Sequence, residues 1–230
     1  MMKQTVLTVA AHPDDEILGC GGTMARYSEE GNDVHILILA EGLTSRDLTR
    51  NRENKAHELT ELGKIAQMSS IKIGAKSIEL LDFPDNRMDS VDRLDIIKAI
   101  ERKIEDVKPE VVFTHFGNDL NIDHRITQDA VITACRPYPG QVVKEIYFFE
   151  VPSSTEWQFD GGVRFSPNVY FSLTEDQMNK KIESLSIYQS EMRSFPHARS
   201  IASVNALAKW RGANIGRNLA EGFVLGRKID

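Results

Sequence analysis

Short apolar runs alternate with helix-length amphipathic stretches over the first two-thirds of this chain. The runs at 4–11, 34–40, 77–81, 111–115 and 146–149 are rich in β-branched and aliphatic residues and read as strands. The stretches at 17–30, 50–67, 94–107 and 126–135 read as helices, two of them stopped by Lys108-Pro109 and Arg136-Pro137. Strands and helices in this order predict an α/β fold, a Rossmann-like three-layer sandwich with a mostly parallel central sheet. In such folds ligands sit beyond the carboxyl ends of the strands.

The last third is less regular. A strand is expected at 169–173, helices at 175–188 and 202–214, and a terminal strand at 222–225. A loop over 157–166 turns at Gly161-Gly162, and a polar loop over 189–199 carries Pro196 and His197. A length of 230 residues fits a single domain, 1–230. Its core is about 1–150, and 151–230 is expected to complete the fold and the substrate site. A formal net charge of −6 argues against a nucleic-acid partner, which calls for a basic surface. No apolar run approaches the roughly 18–20 residues that cross a bilayer, so no membrane span is expected. Cys20 and Cys135 show neither metal-ligand nor disulfide-framework spacing, which suits a reducing, cytoplasmic setting.

The first strand empties into Ala11-His12-Pro13-Asp14-Asp15-Glu16. Imidazole and carboxylate together are ligands for a divalent transition metal. A second carboxylate beside them suits a general base acting on water. Helix capping alone would explain neither His12 nor two adjacent aspartates. A catalytic zinc site takes three protein ligands, so at least one more must come from elsewhere. The candidate is the loop Asn118-Asp119-Leu120-Asn121-Ile122-Asp123-His124-Arg125, at the same sheet edge. Gly19, Gly21 and Gly22 lack dinucleotide-binding spacing and are better suited to close helix–sheet packing.

These two motifs resemble the PIG-L / LmbE-like family of zinc-dependent N-deacetylases. The segments 52–63 and Leu81-Asp82-Phe83-Pro84-Asp85 are similar to further family elements. The resemblance implies that His12, Asp15 and His124 hold one Zn2+ per chain, with Fe2+ and other divalent metals fitting the same donors. It implies that Asp14 is the general base. The activity implied is removal of the acetyl group from a small N-acetylglucosamine-type sugar or glycoconjugate. Many relatives carry a histidine three residues before the third ligand. Here Asn121 stands there, a catalytic candidate able to donate a neutral hydrogen bond to an oxyanion but not to shuttle a proton. Arg46, in the loop after the second strand, is the implied substrate contact, with His197 and Asp123 as further candidates on the substrate side; Asp123 is equally placed to orient a ligating histidine from behind or to cap the helix.

Two rival functions remain. One is a metal-dependent hydrolase of another amide, including a two-metal variant that would need bridging carboxylates. The other is a non-catalytic sugar- or nucleotide-binding module with a retained metal. Homo-oligomers occur in the family, but no segment of the sequence marks an interface.

Overall fold

The computed structural model describes residues 3–159 and 162–230, so the turn expected at Gly161 lies outside the described residues. The alternating region forms β1 (Thr5–Ala10), α1 (Asp15–Glu29), β2 (Asp33–Ala40), α2 (Ala56–Lys72), β3 (Ser77–Phe83), α3 (Arg93–Val107), β4 (Val111–His115), α4 (Ile122–Ala134) and β5 (Glu145–Phe149). The remainder adds β6 (Val169–Ser172), α5 (Glu175–Ile187), α6 (Ile201–Ala213) and β7 (Ala220–Lys228). All seven strands share one sheet in the order β3-β2-β1-β4-β5-β7-β6. The first five are parallel, and β7 runs antiparallel to both β5 and β6.

Strand side chains alternate between two buried layers. Val34, Ile36 and Ile38 of β2 face the layer that includes α1, α2, α5 and α6, while Leu37 and Leu39 face α3 and α4. Burial on both faces explains why β2 reads as a continuous apolar run rather than an alternating one. The strand order reverses at β1, which has β2 on one side and β4 on the other. This is the switch point at which loops diverge and leave a crevice beyond the strand ends.

Two helices begin four or more residues from their expected starts. The helix expected from residue 50 starts at Ala56. Arg50 and Arg52 are drawn instead to the buried Glu41 carboxylate, at 2.8 and 2.7 Å, which holds the preceding turn against the end of β2. The helix expected from 126 starts at Ile122, because the Asn121 side chain accepts the Asp123 N–H and caps it there. His124 therefore lies in a helical first turn.

Helix α1 is kinked at Cys20 (φ −144°, ψ 22°). The kink frees the Gly22 and Thr23 N–H groups, which donate to the Glu221 carboxylate of β7 at 3.0 and 2.7 Å. Gly19 packs directly on the Phe149 ring, leaving no room for a Cβ. Gly19 thus serves the close helix–sheet contact expected of it, whereas Gly21 lies against Lys181 of α5.

Candidate metal centre

His12 lies just beyond β1, and Pro13 leads to Asp14, whose backbone is left-handed (φ 111°). Such a conformation costs a non-glycine residue on the order of 1–3 kcal/mol. Asp14 occupies the N-cap position of α1, yet its side chain makes no capping bond. Its carboxylate is only 2 % exposed and lines a cavity of about 230 Å3 at the switch point. Asp15 opens α1 beside it.

Three side chains converge at the cavity floor. His12 Nδ1 and His124 Nε2 each lie 3.1 Å from Asp15 Oδ2. The outer nitrogen of each ring faces a further carboxylate. His12 Nε2 is 3.0 Å from Asp123 Oδ2, and His124 Nδ1 is 3.0 Å from Asp119 Oδ1. Carboxylates behind ligating imidazoles fix tautomer and ring orientation at metal sites. His12, Asp15 and His124 can accordingly present one ligand atom each to a shared metal ion. Two nitrogens and a carboxylate oxygen suit zinc or a similar divalent transition metal.

A second grouping, His12 with Asp85 and Asp123, also has ligand atoms close together. Asp123, however, is fully buried and already accepts the Asn86 and Met88 N–H groups at 2.6 and 3.0 Å, besides facing His12. It stands behind His12 Nε2 with both of its oxygens already engaged. Of the places open to Asp123 in the sequence, beside the substrate, behind a ligand or in the helix cap, the fold puts it behind His12 and beneath the 84–88 loop.

The charges of the site follow from these neighbours. Burial disfavours the imidazolium form of His12, but hydrogen bonding to Asp123 and Asp15 overcomes it and holds the pKa well above the usual range. His124 is pushed up to about 9, with burial again outweighed by Asp15 and Asp119. Asp15 is held well below the carboxylate range, as His124 and His12 outweigh its burial. The site is built to hold positive charge, as a cation site must be. Asp14 moves the other way. Burial and then the Asp15 charge raise it well above the carboxylate range, against the pull of Arg199. A carboxylate shifted toward neutrality has the chemistry to take and return a proton.

Asn121 reaches the cavity wall, but its Oδ1 accepts the Asp123 N–H and its Nδ2 donates to Asn86 Oδ1 at 2.8 Å. Its amide is committed to the helix cap and the 84–88 loop. Arg46 lines the cavity mouth, and its NH2 group donates to both Glu191 carboxylate oxygens at 2.7 and 2.9 Å. His197 does not line the cavity. Its Nδ1 accepts the Arg199 N–H at 3.0 Å, and its ring meets the edge of Trp157. The chain reversal after Pro196 turns its Nδ1 toward the Arg199 backbone.

Sequence reasoning missed Arg199, whose NH1 donates to Asp14 Oδ2 at 3.0 Å from 185 residues away. No local pattern in 189–200 signals that contact. It also assigned no role to Asp119, which anchors His124 and accepts the hydroxyls of Ser154 and Thr155. The Asp119-Asn121-Asp123 alternation was the available signal. His115, the last residue of β4, is fully buried, stacks on His124 at 4.0 Å and accepts the Ala11 N–H at 2.8 Å.

Comparisons with known proteins place the fold and the family. The chain is 26% identical over 193 residues to the uncharacterized deacetylase YaiS of Escherichia coli K12, covering 82% of this chain and 92% of that protein. Its fold is similar to N,N'-diacetylchitobiose deacetylase from Pyrococcus horikoshii, with a TM-score of 0.77 and 20% identity over 97% of this chain and 84% of that one. It is also similar to GalB, the 4-carboxy-2-hydroxymuconate hydratase of Pseudomonas putida KT2440, with a TM-score of 0.75 and 23% identity over 100% and 98% of the two chains. Residues 7–135, more than half of the chain, match the family described as GlcNAc-PI de-N-acetylase. The chain belongs to the PIG-L family.

Proposed function

We propose that this protein is a zinc-dependent hydrolase that removes the acetyl group from a small N-acetylglucosamine-type sugar or glycoconjugate. The observation that carries this reading is the convergence of His12, Asp15 and His124, each imidazole backed by a carboxylate, beside the buried Asp14. The family match and the deacetylase relatives support it. A cavity of about 230 Å3 is smaller than the roughly 300–1,000 Å3 typical of drug-sized ligands, which favours one sugar ring with its acyl group.

His12, Asp15 and His124 would hold the metal, with Asp123 and Asp119 orienting the two imidazoles. A divalent zinc in such a site polarises the acyl carbonyl and lowers the pKa of water to about 7. Asp14 accepts the proton of the attacking water and returns it to the leaving nitrogen, giving acetate and a free amine. Asn121, with its amide occupied by Asn86, serves the reaction by holding the first turn of α4 and hence His124. Arg46, paired with Glu191 at the cavity mouth, contacts the sugar or its aglycone. No described helix is long and apolar enough to cross a membrane. A small soluble substrate in the cytoplasm is the setting we favour.

The test is amine release from a panel of N-acetylated sugars, free and conjugated, by zinc-loaded and chelated protein. Asp14→Asn should keep its metal and lose turnover by about 10²- to 10⁴-fold. Zinc-dependent release establishes the class. A zinc-loaded protein inert on the whole panel would redirect the reading toward another acyl group or toward water addition, as in the hydratase of the same fold.

A further inference from the structure

Asp14 and Asp15 are chain neighbours at the mouth of one cation site, yet only Asp15 offers an oxygen to the donor set. A bare carboxylate beside a divalent ion is itself a good ligand. If Asp14 joined the set, it would close the position that a catalytic centre leaves open for water or substrate. Something must hold it back.

Two features do so. The left-handed backbone at Asp14 (φ 111°) turns its side chain away from the capping direction. Among the described residues, its carboxylate bonds one side chain, Arg199, at 3.0 Å. Arg199 is itself fixed from three sides. Its Nε donates to Ser153 Oγ at 2.8 Å, its N–H donates to His197 Nδ1 at 3.0 Å, and its carbonyl accepts the Arg193 N–H at 3.3 Å. A guanidinium is always charged and holds a carboxylate in a set direction, so it competes well with a metal for that oxygen.

We propose that Arg199 withholds the Asp14 carboxylate from the metal and keeps it aimed at the open position. This is a positioning role, supplied by the loop between α5 and α6, and it rests on the metal-dependent reading above. Ser153 and His197 hold the arginine in place. The C-terminal third thereby decides which of two adjacent aspartates is a ligand and which is a base.

The experiment uses Co2+ alone as the probe, with Arg199→Met and Arg199→Lys. Visible absorption reports cobalt coordination, and chelator competition reports affinity; neither needs a substrate. In the Met variant the cobalt spectrum should change as a carboxylate oxygen enters. Affinity should rise by roughly tenfold, the scale on which outer groups tune metal sites. The Lys variant, which retains a cation, should stay nearer the parent spectrum. A parent-like spectrum for the Met variant, or weaker cobalt binding, overturns the proposal. Should the Met variant fail to fold, Ser153→Ala carries the test, with the same direction expected and the same outcomes refuting it. A parent that binds cobalt but releases no amine refutes deacetylation while leaving this test intact.

Discussion

Glu221 is the acid on which the joint between the two parts of the sequence should depend. It is 5 % exposed, and its Oε1 lies 2.6 Å from the Nζ of Lys181, itself 4 % exposed. The carboxylate also receives the Gly22 and Thr23 N–H groups and the Thr23 hydroxyl, so it caps the second half of the kinked α1. Glu221→Ala leaves an ammonium in the interior with the Leu18 carbonyl as its remaining partner, and strands two helical N–H groups. Removing one partner of a buried ion pair costs about 3–5 kcal/mol. In a domain of this size each kcal/mol lowers the midpoint by roughly 2–4 °C, so the melting temperature should fall by about 6–20 °C. Thermal and urea unfolding followed by circular dichroism measure it. The double variant Lys181→Met/Glu221→Ala removes the stranded charge and should recover part of the loss, giving a non-additive cycle. A Glu221→Ala protein within about 1 kcal/mol of the parent, the ordinary cost of a point substitution, would refute the reasoning.

Two further outcomes test the site and the sheet. Asp119→Asn removes the negative charge behind His124 and should weaken metal binding by about 10- to 100-fold, read by chelator competition; parent affinity would deny Asp119 its orienting role. His35 on β2 has its pKa held below the ordinary value of about 6.5, by burial and then by Lys103 and Lys76. A depressed folded pKa means that its contribution is present above about pH 6.5 and lost as pH falls through the folded value. The parent should therefore lose more stability than His35→Gln between about pH 7.5 and about pH 5, and equal losses in urea unfolding would count against the account.

How much of this was legible in the sequence depended on the range of the physics involved. The strand–helix alternation is local, and it predicts the five parallel strands closely. β4 has its expected bounds, and β5 begins one residue early. The His12, Asp14 and Asp15 cluster was readable because no capping pattern accounts for it, and the structure leaves the Asp14 side chain out of the cap. The start of α2 was misjudged because apolar periodicity does not register the pull of Glu41 on Arg50 and Arg52. The start of α4 was misjudged by four residues, although Asn121 was already present as a capping residue.

The sequence by itself determined the layered α/β architecture, since buried parallel strands and amphipathic helices are encoded in short-range periodicity. It also determined that His12, Asp14, Asp15 and His124 belong at one sheet edge, because parallel topology places successive strand ends together. Only the tertiary structure decided which polar groups face the cavity and which stand behind it. Asp123 and Asp119 are close in sequence to a candidate ligand; the first turn of α4 sets Asp123 against the outer nitrogen of His12, and the Ser154 and Thr155 hydroxyls help set Asp119 against that of His124. The pairing of Arg199 with Asp14 joins residues 185 positions apart. Such a contact arises from the docking of a loop onto a finished fold, and local sequence carries no periodic trace of it.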